Sequence, residues 1–423
     1  MNKAFRNAIR DIFTDQGLII FLILVPLVYP LLYAFIYTGE TVREVPVVVV
    51  DADGSTRSRE FVRRVDATAD VRIISHAASM SEAEDYVRRR EAYGILQIPA
   101  DFTERLARME QTRVGVFIDM SGMLYYKAVL AATTDVSLAM NADIKVERAG
   151  NITQREDAIT QHPLRYEQVA LFNPQSGFAS FLIPAVLIIL LQQTLLLGVG
   201  MEAGTRRERM ERSHHFPPTE EFTLDARQLI EDAQTTELPT RSHPRRPQPQ
   251  HASRRAVRQL LGRSMAFLVI YIPVTFYCLF VVPRLFSLPQ IGNPWEILLF
   301  ALPFLLASIF FAITIGSLPR NRESIILLVV FSSIPMLFLS GVSWPGSAFP
   351  WYWKAFSCLV PSTFGVNGFI RLNTMGAHLP EVQHEYLVLW GQVFVYGLLA
   401  WWVTRKNELL KISLRSYRNA AEA

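Results

Sequence analysis

Uninterrupted apolar length is the feature that most restricts this chain. "LIIFLILVPLVYPLLYAFIY", Leu18 to Tyr37, contains no charged residue. A hydrocarbon layer about 30 Å thick calls for roughly 17–25 such residues in one helix. Runs of the same kind recur at Phe178–Val199, Ala266–Val282, Ile297–Ser317, Ile325–Leu339 and Leu387–Val403. The fifth is short and extends into "SGVSW". Half of the 423 residues are apolar and only 19% are charged. Soluble domains of this size would spread those apolar residues; here they are bunched. The pattern predicts an α-helical polytopic membrane protein with six transmembrane helices.

The basic start "MNKAFRNAIRDIF" could belong to a signal peptide, but the apolar run after it is too long. It ends in Tyr33, Phe35 and Tyr37, an interfacial aromatic set, so an uncleaved anchor is expected. Pro26, Pro30, Pro184, Pro273, Pro303 and Pro335 fall inside the runs. Neighbouring helices and Ser or Thr side chains can satisfy the carbonyls they free. Cys278 and Cys358 are two isolated cysteines and make no disulfide framework.

Lys and Arg near the span ends set the orientation. Lys3, Arg6 and Arg10 share a side with the segment Arg206–Arg263, with Arg320 and Arg322, and with the tail "RKNELLKISLRSYR". The opposite side carries only Arg284, Lys354 and Arg371 near its span ends. Both termini are therefore expected in the cytoplasm.

The stretch from Thr38 to Ser176 is too long and too patterned for a loop. Strand-like "VPVVVVD", "VRIISH", "YGILQIP" and "TRVGVFIDM" alternate with helical segments, which predicts an inserted extracytoplasmic α/β domain. Ser55 or Asp53 is expected to cap the first helix, and Ser81 with Glu84 stands at capping-box spacing for the second. Tyr125 to about Gln168 reads as one or two long helices. "VVVVDADGS" resembles the nucleophile motif of haloacid-dehalogenase phosphatases. The later acidic and Lys elements of that chemistry are missing, and an Asp-Gly-Ser turn explains the residues without them. Val62 stands where a calcium loop begun at Asp51 would need Glu.

After the second span the chain is charged, with Glu208–Arg212 at helical pair spacing. Leu238 to Gln250 is Pro-rich and Arg241 to Arg263 holds no acid. Such a segment is expected to be flexible, its charge serving topology and attraction to anionic membrane lipids. Binding to nucleic acid is not expected beside a bilayer. His214, His215, His243 and His251 are scattered through polar linker without metal-site spacing. No phosphate-binding loop and no nucleophile–base constellation occurs, so no catalytic, cofactor-binding or metal residues are assigned.

Polar groups within the spans are few: Gln192, Gln193, Thr194, Thr275, Ser308, Thr314, Ser332 and Ser333. Mid-span charges, which mark proton and ion pathways, are lacking. Between spans five and six, "SGVSWPGSAFPWYWKAFSCLVPSTFGVNGF" is too broken for a crossing helix and too aromatic for a solvated loop. Gly341 and Pro345 end the helix, Trp351, Tyr352 and Trp353 suit the headgroup level, and Pro361 restarts a helix. Two short helices on or dipping into the outer leaflet are expected.

That stretch, continued through "IRL", resembles the "SG…FP…MP…W…P…T…G…R" region of type-2 ABC transporter permeases. "VPVVVVDADGSTRSR" and "GILQIPADFTERL" resemble the periplasmic domain of the bacterial exporter branch with a large domain between spans one and two. "FNPQSGFASFLIPAVLIIL" is similar to that family's approach to span two, with Ala185 where Gly is usual. The resemblance implies a permease subunit that pairs with a second copy or a paralogue and docks separate ATPase subunits. ATP and Mg would then lie on the partner chain and no cofactor in this one. A periplasmic adaptor and an outer-membrane channel are further implied partners, and the bacterial inner membrane the implied location.

The resemblance places ATPase coupling at "EAGTRRERME", on Glu202, Gly204, Thr205, Arg206, Arg207 and Glu208. The match resumes at "RQLLGRSMAF", leaving Ser213 to Ala256 as an insertion. The re-entrant outer segment is expected to turn on Gly341, Pro345, Pro350, Trp353, Pro361 and Gly365. Pathway-lining candidates are Gln192, Gln193, Ser332 and Ser333. The implied partition begins with a cytoplasmic amphipathic helix at 1–17, span one at 18–37, the periplasmic domain at 38–176 and span two at 177–200. A cytoplasmic coupling loop follows at 201–264, then spans three to six at 265–404 with the outer segment at 340–372, and a tail at 405–423. The implied function is export of an apolar or amphipathic compound. The competing expectation is a membrane-anchored sensor or envelope-assembly protein acting through its outer domain.

Overall fold

The computed structural model describes residues 2–37, 39, 41–150, 153–162, 171–173, 177–213, 249–319 and 321–421. The chain divides into two units, a helical bundle (Met1–Thr38 with Phe178–Ala423) and an inserted domain (Gly39–Gly177). Among the described residues, six helices of the bundle are long and apolar enough to cross a membrane.

The chain opens with helix α1 (Asn2–Thr14), which buries Ala8 and Ile12 and leaves Lys3, Arg6 and Arg10 exposed. The i, i+4 spacing of the buried pair sets one apolar stripe against the bundle. Asp15 breaks the helix and caps the next, its carboxylate accepting from Gly17 N at 3.0 Å. Helix α2 (Gln16–Ile36) is the first span. A wide π turn, Ile20–Leu24, stands immediately before Val25-Pro26. Proline cannot donate to the carbonyl four residues back, and a widened turn is one way a helix absorbs that loss.

In the inserted domain, strand β1 (Val45–Asp51) is central and is followed by helix α3 (Thr56–Asp66). Then come β2 (Val71–His76), α4 (Met80–Arg88), β3 (Gly94–Ile98), α5 (Phe102–Ala107) and β4 (Gly115–Ile118). The sheet order is β2-β1-β3-β4, parallel except for antiparallel β4. Val45, Val47 and Val49 face one way, onto Phe61, Val65 and Phe102; Val48 and Val50 face the other, onto Ala83 and Ala92. A strand covered on both sides needs an unbroken β-branched run, and that is what the valines supply. Long helix α6 (Met123–Ala149) closes the first face with Val129, Ala132, Val136 and Met140, and α7 (Gln154–Gln161) follows. Of the one or two long helices expected from Tyr125 to about Gln168, one is long (α6) and α7 has eight residues; residues 163–170 lie outside the described residues.

Both acids of the Asp51-Ala-Asp53 turn are occupied as turn caps. Asp51 accepts from Asp53 N, Gly54 N and Ser58 Oγ, and Asp53 accepts from Thr103 Oγ1 at 2.7 Å. Burial works to raise the Asp53 pKa, but hydrogen bonds from Ser55 and Thr103 outweigh it and hold the carboxyl below its ordinary value. Ser55 caps α3. The second cap differs from the expectation. Ser79, not Ser81, caps α4, accepting from Glu82 N while Glu82 accepts from Ala78 N. The same spacing recurs two residues on, but Glu84 is spent on Arg88, 3.1 Å away.

The bundle resumes with α8 (Phe178–Ser213), then α9 (Pro249–Phe276, continuing through a π turn to Leu285) and α10 (Pro294–Ile315). These lead to α11 (Arg322–Leu339), short α12 (Trp351–Ser357) and α13 (Pro361–Asn373), and last α14 (Gln383–Ala421). The first two-thirds of α8 are apolar all round because they form the centre: 83% of its most apolar stretch is buried, against 22% for α2 and for α11. The second π turn, Tyr277–Val281, again stands just before Val-Pro, at Pro283.

The carbonyls freed by two of the prolines find donors, though not Ser or Thr. Pro30 leaves Pro26 O without a helical partner, and the buried Cys278 thiol donates to it at 3.4 Å. Pro283 likewise frees Leu279 O, which accepts from Gln290 Nε2 at 2.6 Å. Cys278 therefore does more than pack. Cys358 is an exposed free thiol.

Candidate functional site

Three carboxylates and four guanidiniums meet where α1 turns into α2, α8 loses its apolar character, α9 begins its span and α10 hands over to α11. Glu202 on α8 is buried, with Arg206 Nε 2.5 Å from one carboxylate oxygen and Arg263 of α9 bonded to the other. Arg206 also reaches Asp11 of α1 at 3.4 Å. Arg322, in the first turn of α11, donates to Asp15 at 2.7 Å, and Thr205 approaches the same carboxylate at 3.5 Å. Arg207 holds the segment after α10, donating to Ser317 O at 2.5 Å and to Pro319 O at 2.7 Å. Burial alone would raise the Asp15 pKa. The Arg322 guanidinium and the Gly17 and Leu18 amides outweigh it, so the carboxyl titrates below its ordinary range.

Absent side chains let these elements approach. A Cβ on Gly204 would lie 3.2 Å from the Arg322 Cα, and one on Gly316 would lie 2.8 Å from the Gly200 Cα. Of the residues expected to couple to an ATPase, Glu202, Gly204, Thr205, Arg206 and Arg207 thus join one cluster, and Glu208 lies half-buried beside them. The Arg212 side chain lies outside the described residues. Sequence reading missed Asp11, Asp15, Arg263 and Arg322 as partners. The basic residues were counted only for orientation, yet two acids in an otherwise basic N-terminal segment were a usable sign of pairing.

The four pathway-lining candidates lie on α8 and α11. Gln192 is fully buried and accepts from Ser362 N at 2.6 Å, capping an orphan amide of α13. Gln193 donates to Met336 Sδ at 3.0 Å. Ser332 and Ser333 both donate to Val329 O of their own helix.

The aromatic segment between α11 and α14 forms two short helices, α12 and α13. Gly341 adopts φ +84, Pro345 precedes a single 3-10 turn, and Pro350 and Pro361 stand at the starts of α12 and α13. Trp351, Tyr352, Trp353 and Phe356 stay exposed along α12. Gly365 brings α13 against α10, where a Cβ would sit 2.6 Å from the Phe304 ring. Glu296, in the first turn of α10, accepts from Leu379 N at 2.6 Å and pairs with His378 at 3.1 Å, both beyond α13. That contact raises the His378 pKa above its ordinary 6.5. Its stabilising contribution is complete below that value and fades as pH rises through the elevated one. Followed by amide exchange at Leu379, the parent chain should loosen at this corner as pH rises through the elevated His378 value, and His378→Gln should abolish that pH dependence.

Six apolar helices, an ionic cluster that ties α8, α9 and α11 to the turn between α1 and α2, and a folded insertion define a multi-pass membrane protein. A family model described as ABC-2 family transporter protein matches residues 17–213 and 249–402, and the chain belongs to that family. It is a membrane component of an ABC transporter. The match breaks off between 213 and 249, within the insertion expected from the sequence. No curated protein matches the chain.

Proposed function

We propose that this chain is the permease subunit of an ATP-driven exporter in the bacterial inner membrane. It moves an apolar or amphipathic compound out of the cytoplasm or the inner membrane. Two permease subunits and two ATPase subunits form the working unit, with ATP and Mg held by the ATPases. The inserted domain lies on the periplasmic side, where it meets an adaptor and an outer-membrane channel. Gln192, Gln193, Ser332 and Ser333 line the pathway in another conformation. The observation that carries the reading is the ionic cluster: push on α8 beyond Glu202, and α1, α9 and α11 are pulled through charges. Family membership weighs against a sensor or assembly role.

Charge reversal at Arg206 would set an acid beside Glu202 and Asp11 and break the cluster itself, so Arg207 is the cleaner probe. In inside-out vesicles holding the permease and its ATPase, Arg207→Gln should leave ATPase docking intact. ATP-dependent accumulation of an apolar dye should fall at least tenfold, since losing even one bond from a charged donor costs about 1.5–3 kcal/mol. Full accumulation by the variant would refute coupling through this contact, and accumulation in right-side-out vesicles instead would refute export.

A further inference from the structure

A cavity of about 680 Å³ opens where α1 passes the first turns of α9 and the end of the α14 span. Lys3 of α1 and Arg255 and Arg258 of α9 line it, with Asn7 and Gln259 as further donors. Glu408, the one carboxylate in the lining, is buried and already engaged. Cations therefore outnumber acids three to one. The α9 span begins at Ser253 and the last span ends at Leu409, so the cavity sits at span ends, at headgroup depth. Helix α1 is amphipathic and lies at the same level, as interfacial helices do.

One more feature separates a lipid from a free anion. Leu261, Met265, Val269 and Ile272 are exposed on α9. Counted from Arg258 they fall three, seven, eleven and fourteen residues on, which is one helix face. An apolar stripe thus runs into the span directly from the cationic cavity. Guanidiniums recognise phosphate oxygens as forks, and a cavity of this size suits a phosphodiester headgroup.

We propose that the cavity between α1, α9 and α14 binds the phosphodiester headgroup of an anionic phospholipid, whose acyl chains follow the Leu261–Ile272 stripe. Bound there, the lipid would tie α1 to the start of α9, next to the ionic cluster.

The test uses the full chain in detergent, titrated with phosphatidylglycerol and followed by native mass spectrometry, with phosphatidylcholine and glycerol phosphate as parallel ligands. Phosphatidylglycerol should bind with defined stoichiometry, and phosphatidylcholine and glycerol phosphate should not compete. Each cation near a membrane surface is worth about fivefold in affinity, so Arg255→Gln/Arg258→Gln should weaken binding roughly thirtyfold. Arg254→Gln/Lys406→Gln removes the same charge outside the cavity lining and should change little. An equal loss in that control would mean diffuse attraction, and equal competition by glycerol phosphate would mean a free-anion site; either overturns the proposal. Should the Arg255/Arg258 variant fail to purify, Lys3→Gln on exposed α1 carries the same comparison, with about a fivefold loss expected. Binding that this variant leaves unweakened likewise overturns the site.

Discussion

Glu202→Gln should cost about 3–5 kcal/mol, the largest loss expected from any single uncharging in this bundle. Glu202 is 1% exposed and faces two guanidiniums, Arg206 and Arg263. An amide of the same shape leaves the packing intact and removes the charge. Among the described residues Arg206 then keeps one carboxylate, the more distant Asp11, and Arg263, whose Nε has no hydrogen bond, keeps no carboxylate. Stranding a buried cation costs more than the pair itself is worth, because its desolvation is no longer offset. Thermal melting of the detergent-solubilised chain would register the loss. The companion Glu202→Met/Arg263→Met removes one of the two stranded cations and should recover part of the stability, with Arg206 left to Asp11 alone. A melting temperature unmoved by Glu202→Gln would mean that water reaches the cluster.

Gly292→Ala is expected to cost about 3 kcal/mol, the upper end of the overpacking range. The loop after α9 lies on the end of α13: Ile291 N and Gly292 N both donate to Asn373 O, at 2.9 and 3.1 Å. A Cβ on Gly292 would lie 1.9 Å from Leu372 O and 2.8 Å from its carbonyl carbon. Those are backbone atoms, which cannot swing aside as a side chain would. The loop must lift, and the contact of buried Asn373 with Gln290, 3.2 Å away, goes with it. Melting again measures the loss, and amide exchange at residues 291–292 should quicken. A variant melting like the parent would show that the loop has room to move.

Much of the fold was legible because membrane spans and α/β strands write themselves in composition and period. The run Val47–Val50 announced a doubly covered strand, and the six apolar runs announced the spans. Break-forming residues were equally plain: Gly341, Pro345, Pro350 and Pro361 end or begin elements where the sequence put them. Interactions between distant elements were not legible. Nothing local links Asp15 to Arg322, or Cys278 to a carbonyl that Pro30 leaves free. The Ser81 cap went astray for a related reason, since two overlapping Ser-x-x-Glu matches differ only in what Glu84 finds nearby, which is Arg88.

Helix α8 runs for 36 residues, with Pro184 in its second turn. At 1.5 Å per residue it is about 54 Å long, well beyond the roughly 30 Å of hydrocarbon it must cross. The surplus is a rigid lever whose fulcrum is the most enclosed position in the bundle. A small tilt imposed on its protruding arm meets no proline before Pro184, and must reappear as displacement of the helices packed along that stretch.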